Sequence, residues 1–150
     1  MLQSLNVEET ILLKKKILIV DDYPPTRQLI RDALSQTGDY EISEAENGAE
    51  AVDQCRWSTF DLVISDVMMP GVGGMELLTR LREMSPDTSV IMITAHPAVD
   101  LTVSAMKKGA VDFLKKPFKI DNLLYKVKLC LDEKELSEEV GPKPGGLEAK

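Results

Sequence analysis

The sequence predicts an α/β fold in which a parallel sheet of five strands is covered by helices on both faces. Short apolar runs of strand length recur five times along the 150 residues. Between them lie stretches whose apolar residues return at helical spacing, and the connections are short. Such β–α alternation needs right-handed crossovers, and a doubly wound sandwich is their commonest solution.

The elements follow in order. "ILIV" at residues 17–20 is a continuous β-branched-rich run, suited to a strand buried on both faces. Pro24 and Pro25 suit a helix start, where a missing N–H costs little. The helix places Leu29, Ile30, Ala33 and Leu34 on one stripe and stops by Gly38. "YEISEA" alternates as a half-buried strand does. Asn47 and Gly48 lead into a second helix with Gly48, Ala51, Val52 and Cys55 on one face. "DLVIS" is the third strand, and the loop "DVMMPGVGG" opens a third helix carrying Leu77, Leu78, Leu81 and Met84, ending before Pro86. "SVIMIT" is the fourth strand, and "PAVDLTVSAMKKG" a fourth helix closed by Gly109. "DFLKKPF" holds the fifth strand, and Ile120, Leu124, Val127 and Leu131 mark the fifth helix.

Composition narrows the function. Hydrophobic residues make up 43% and charged residues 29%, the balance of a globular, soluble chain rather than a disordered one. A formal net charge of −7 argues against a standing nucleic-acid surface. Cys55 and Cys130 lack metal-ligand spacing and read as reduced thiols of a cytosolic protein. "ETILLKKKILIV" is apolar on both sides of a lysine run, but neither side reaches the roughly 18–20 residues of a membrane helix. The basic cluster also follows the apolar residues, the reverse of a signal peptide. A cytoplasmic protein without membrane segments is the expectation.

Ligands of doubly wound folds bind beyond the carboxyl ends of the strands. Here the first strand ends at Asp21 and Asp22, the third at Asp66, the fourth at Thr94 and the fifth at Lys116. Two like charges 4 Å apart repel by about 1 kcal/mol in water and by about 4 kcal/mol at an effective dielectric near 20. Three carboxylates on one rim therefore call for a cation. With few other oxygen donors there is room for water, which suits Mg²⁺ better than an all-protein Ca²⁺ cage. Taken alone, either aspartate is an ordinary helix cap, Lys116 a surface lysine and Thr94 a strand residue.

"ILIVDD", "DLVISDVMMPG", "VIMITAH" and "GAVDFLKKPF", in that order and spacing, resemble the receiver domain of bacterial two-component response regulators. The resemblance spans residues 15–132 and implies a flavodoxin-like strand order, 2-1-3-4-5. It further implies that Asp66 accepts a phosphoryl group from a sensor histidine kinase or phosphotransfer protein. Asp22 then binds Mg²⁺ directly, Asp21 helps through water, and Met68 offers its backbone carbonyl. Thr94 and Lys116 take the phosphoryl oxygens, Phe113 is the aromatic that reports the switched state, and the bond before Pro117 is cis. The output is a conformational shift of the face made by the fourth helix, fifth strand and fifth helix, with homodimerisation there as one route. The chain itself assists only its own phosphoryl transfer and loss.

Tyr23-Pro24-Pro25 departs from the polar residues many relatives carry, which implies a changed surface near the kinase docking helix. Met68 and His96 stand two residues after Asp66 and Thr94, where side chains govern water access; for His96, the only histidine, a plain loop role is the simpler reading. A Mg²⁺-dependent phosphohydrolase of the haloacid type needs an acid at the Met68 position. A pseudo-receiver, a binding module working without phosphorylation, usually lacks one of the acids or the lysine, and all are present. Residues 1–14 are an N-terminal extension with a weak amphipathic pattern, either a disordered leader or a helix packed on a partner. Residues 15–134 form the domain, and 135–150 read as a C-terminal tail, a helix fraying into a Pro/Gly-rich linker; the chain is either a stand-alone regulator or a receiver whose output domain follows Lys150.

Overall fold

The computed structural model describes residues 14–140. Residues 1–13 of the expected N-terminal extension and 141–150 of the expected linker lie outside the described residues. In chain order the elements are β1 (Lys15–Val20), α1 (Pro24–Ser35), β2 (Tyr40–Ala45), α2 (Gly48–Trp57), β3 (Leu62–Asp66), α3 (Gly74–Met84), β4 (Ser89–Thr94), α4 (Val99–Lys107), β5 (Asp112–Lys115) and α5 (Ile120–Val140). The helix α5 thus continues through residues 135–140, which the sequence reading gave to the linker.

All four neighbouring strand pairs are parallel, and the order is β2-β1-β3-β4-β5, as expected. Alternate side chains of a strand face opposite sides, so each continuous apolar run feeds two cores. Leu18 and Val20 of β1, Val63 of β3, and Val90 and Met92 of β4 enter one core, closed by Ala51 and Val52 of α2, Leu77, Leu78 and Leu81 of α3, and Ala105 of α4. Ile17, Ile19, Leu62, Ile64, Ile91 and Ile93 enter the other, closed by Ile30 and Leu34 of α1 and by Leu123, Val127 and Leu131 of α5. Each fully buried Leu or Ile contributes about 1.5–3 kcal/mol, so these two layers hold the strand ends in place.

The helix faces differ from expectation in places. Leu29 is 47% exposed, because the buried stripe of α1 runs through Ile30, Ala33 and Leu34 and leaves Leu29 on its flank. On α5 Leu123 is buried together with the expected Val127 and Leu131, while the expected Ile120 and Leu124 are only partly buried. Met84 is 38% exposed, since it is the last residue of α3 and has passed the edge of the sheet.

Local signals hold elsewhere. Pro24 and Pro25 occupy the first two positions of α1, and Asn47 caps α2, its side chain accepting from the Glu50 N–H at 2.8 Å. Gly109, which closes α4, has φ of 108°, a backbone conformation that side chains rarely adopt. The Arg82 stem lies against it, and the Arg82 guanidinium donates to the carbonyls of Pro86 and Thr88.

Candidate functional site

Because the strands are parallel, their carboxyl ends share one rim. Asp66 is the last residue of β3 and Thr94 the last of β4. Asp21 and Asp22 follow β1, and the Asp21 N–H extends its ladder by donating to the Ala45 carbonyl at 3.2 Å. The strand β5 ends at Lys115, one residue earlier than expected, and Lys116 keeps the register by donating its N–H to the Thr94 carbonyl at 2.7 Å.

The three acids converge. Carboxylate oxygens of Asp21, Asp22 and Asp66 all lie within 4.8 Å of one another. Asp21 is 2% exposed and Asp66 8%, whereas Asp22 faces solvent. The Lys116 ammonium sits among them, its Nζ 2.8 Å from Asp21 Oδ2 and 3.4 Å from Asp66 Oδ2. The other Asp21 oxygen accepts from the Tyr23 N–H at 2.9 Å, and Asp66 Oδ1 accepts from the Met68 N–H at 3.4 Å. Asp21 thus braces the turn into α1, a job an aspartate commonly does, while also facing the rim.

The electrostatics report a shortage of positive charge. Burial, then the neighbouring Asp21 carboxylate, push the Asp66 carboxyl above its ordinary value, against the pull of Lys116 and the Met68 N–H. For Lys116, burial acts downward, but the hydrogen bond to Asp21 and the charges of Asp21 and Asp66 outweigh it and raise the ammonium. Three carboxylates against one ammonium leave a formal charge of −2 (−3 plus +1) on a rim that two of the acids cannot leave. An all-oxygen donor set of that charge, open on the Asp22 side, fits a small hard dication with several waters.

The remaining expected residues surround the acids. Thr94 is fully buried, and its Oγ1 accepts from the His96 N–H at 3.1 Å, which turns the loop at the strand end; the His96 side chain is exposed. The Met68 side chain is 64% exposed beside the acids. Phe113 is partly buried against the core that α4 closes, and the Lys116–Pro117 peptide is cis.

Two features escaped the sequence reading. The loop after Asp66 is closed by glycines: the Gly74 N–H donates to the Val67 carbonyl at 3.0 Å and the Gly48 N–H to the Val72 carbonyl at 3.1 Å. A Cβ on Gly74 would lie 2.3 Å from the Asp66 carbonyl oxygen, so α3 rests directly on the backbone of Asp66. The second is a network behind Asp21 in which Arg27, Arg31 and Glu44 join α1 to β2. Only the doubled glycine hinted at the first, and the basic residue in the first turn of α1 at the second.

Comparison with known proteins shows the family. A family profile of the response regulator receiver domain matches residues 17–128. The chain is 41% identical over 123 residues to the C4-dicarboxylate transport transcriptional regulatory protein DctD of Pseudomonas aeruginosa, covering 81% of this chain and 26% of that protein. It is 35% identical over 117 residues to the chemotaxis protein CheY of Bacillus subtilis, covering 78% of this chain and 98% of that one. A solved CheY-like response regulator receiver domain protein of Methanospirillum hungatei superposes with a TM-score of 0.79 at 31% identity, over 83% of this chain and 98% of the other.

Proposed function

The chain belongs to the response regulator receiver domain family, and on that premise we propose that it is a phosphorylation-switched regulator with Asp66 as phosphoacceptor. The observation that supports this best is the meeting of three carboxylates within 4.8 Å with the Lys116 ammonium between Asp21 and Asp66. The donor is a phosphohistidine of a sensor kinase or phosphotransfer protein. An Asp66 carboxylate oxygen attacks phosphorus, the P–N bond breaks, and its electron pair stays on the imidazole nitrogen.

Asp21, Asp22, Asp66 and the Met68 carbonyl would hold Mg²⁺, which when bound offsets the charge of acceptor and phosphoryl oxygens. The chain's own part is positioning. Lys116 pairs with the phosphoryl oxygens, and the Thr94 hydroxyl turns from the His96 N–H toward them. Phosphorylation replaces one carboxylate charge by about −1.5 to −2, which favours the state with Thr94 and Phe113 turned inward. The readout face of α4, β5 and α5 exposes Val99, Val103, Met106 and Tyr125, which supports homodimerisation as one output. A strictly monomeric phosphorylated form in light scattering would exclude that route.

Residues 15–134 make up the working unit in this reading, with 1–14 and 135–150 flanking it. An output domain after Lys150 is supported by the relatives' length, since the chain matches 26% of DctD. No described helix is long and apolar enough to cross a membrane; the site of action in this reading is the cytoplasm, where receiver domains meet their kinases. The test is intact mass after incubation with acetyl phosphate, with and without Mg²⁺, on the wild type and Asp66→Asn. The expected result is a Mg²⁺-dependent gain of one phosphoryl group, absent in the variant. No gain under any condition would leave the pseudo-receiver as the reading.

A further inference from the structure

The pair Asp21–Asp22 is placed through its backbone. The Asp22 carboxylate is exposed, and among the described residues no hydrogen bond or ion pair holds it. Its position therefore follows from the peptide that joins it to Asp21. That peptide is planar, so the direction of the Asp21 carbonyl also sets the Asp22 N–H and Cα.

The Asp21 carbonyl accepts from Arg27 Nη1 at 2.6 Å. The Arg27 side chain is 13% exposed, and its Nε donates to Glu44 Oε1 at 3.0 Å. The second oxygen of Glu44 accepts from Arg31, and the Glu44 carbonyl accepts from Gln54 Nε2 of α2 at 2.7 Å. Burial pushes the Glu44 carboxyl up, but the hydrogen bonds and charges of Arg31 and Arg27 overcome it and hold the group below its ordinary value. The anchor is thus an ionised carboxylate gripped by two guanidiniums and tied through its backbone to a third element.

The location of Arg27 is itself unfavourable. It stands in the first turn of α1, which carries no acidic residue, and a cation there opposes the helix dipole by about 0.3–1 kcal/mol. Its fork, however, serves two acceptors at once, which a single ammonium does not do in a fixed geometry.

We propose that Arg27 is a positioning residue for the acidic rim: through the Asp21 carbonyl it sets the Asp21–Asp22 peptide, and so the Asp22 carboxylate, where a divalent cation binds, and Glu44 holds Arg27 in place. This rests on the reading of the rim as a Mg²⁺ seat. Position and charge make opposite demands here. If Arg27 acted only as a nearby cation, its removal would tighten Mg²⁺ binding. As a positioning residue, its removal weakens binding, on the scale of about 10-fold seen for partners that orient metal ligands.

The experiment is calorimetric titration of Mg²⁺ into the unphosphorylated full chain, for wild type, Arg27→Met, Arg27→Lys and Glu44→Gln. Thermal melts establish that each is folded at the titration temperature. Arg27→Met is expected to weaken Mg²⁺ binding about 10-fold, and Arg27→Lys and Glu44→Gln by a smaller factor with the fold kept. Unchanged or tighter binding in Arg27→Met, or in Arg27→Lys should the first not fold, overturns the proposal. Absence of Mg²⁺ binding in the wild type overturns the Mg²⁺ seat itself, and this inference with it.

Discussion

Replacing Asp66 by Asn should stabilise the protein when divalent metal is absent. The Lys116 ammonium 3.4 Å away attracts Asp66 by about 4.9 kcal/mol at an effective dielectric near 20. Asp21, within 4.8 Å, repels it by about 3.5 kcal/mol at the same dielectric. The solvent-facing Asp22, screened as in water, adds about 0.9 kcal/mol at 4.8 Å. These terms cancel to within about 1 kcal/mol, and the desolvation of a carboxylate only 8% exposed remains. The Met68 N–H returns part of it, which leaves a net penalty of about 1–2 kcal/mol. Asn keeps the shape without the charge. Urea melts in EDTA at pH 7.5, followed by circular dichroism, should show its midpoint higher by about 0.7 M, taking an m-value of about 2 kcal/mol/M. The pH dependence has a definite sign. The folded-state pKa of Asp66 is raised, so the penalty is complete above it and shrinks as the pH falls toward the unfolded value of about 3.9. The gap between the two proteins should therefore close near pH 4. Saturating Mg²⁺ should stabilise the wild type more than the variant and narrow the gap at pH 7.5. A variant less stable than wild type in EDTA at pH 7.5 would mean that Lys116 outweighs both repulsion and burial, and that the rim has no deficit of cation.

Other outcomes follow from the same geometry. Lys116→Met strands Asp21 and Asp66 and should lower stability by about 3 kcal/mol in metal-free urea melts. Because the folded pKa of Lys116 is raised, its contribution is complete below about pH 10.4 and fades only as the pH climbs through the folded value, so the difference from wild type should stay flat from pH 6 to 9. Gly74→Ala forces a Cβ to 2.3 Å from the Asp66 carbonyl oxygen and 2.9 Å from Val67 Cα, and should destabilise by more than about 2 kcal/mol. Gly38→Ala, at φ of 73° with nothing within 4 Å, should cost about 1 kcal/mol, and similar urea midpoints for the two variants would contradict the contact argument. Burial pushes the Cys55 thiol up to about 11, so iodoacetamide at pH 8 should modify it about 100-fold more slowly than a free thiol of pKa about 8.5, followed by peptide mass.

What the sequence made legible was whatever one strand or one helix decides by itself. Five apolar runs at strand length fix where the sheet is, and the residue ending each run fixes the rim, so Asp21, Asp22, Asp66, Thr94 and Lys116 are legible in the sequence alone. The errors come from features that depend on two elements. Leu29 looks as apolar as Ile30, and only the angle at which α1 lies on the sheet decides which of the two is buried. Leu123 and Leu124 flank one stripe in the same way. Gly74 read as loop punctuation, because its closeness to the Asp66 carbonyl is set by how α3 lands on β3. Arg27 and Glu44 are 17 residues apart and meet only once α1 packs beside β2.

The rim joins groups of very different freedom. Asp21 is held at its N–H by Ala45, at its carbonyl by Arg27, at one carboxylate oxygen by the Tyr23 N–H and at the other by Lys116. Asp66 ends β3, which has a neighbour on each side, and it lies beneath the start of α3. Lys116 follows β5, a strand of four residues at the edge of the sheet with a single neighbour. An added charge on Asp66 therefore meets the fixed Asp21 carboxylate, the exposed Asp22 carboxylate and one ammonium that follows the short edge strand. That ammonium now lies nearer Asp21, at 2.8 Å, than Asp66, at 3.4 Å, so a stronger anion at Asp66 competes for it directly. Under the proposed function the response falls on β5, which also carries Phe113 and is followed by Lys116, whose N–H donates to the Thr94 carbonyl. On that proposal Asp66 stays where the two cores put it, and the edge strand yields.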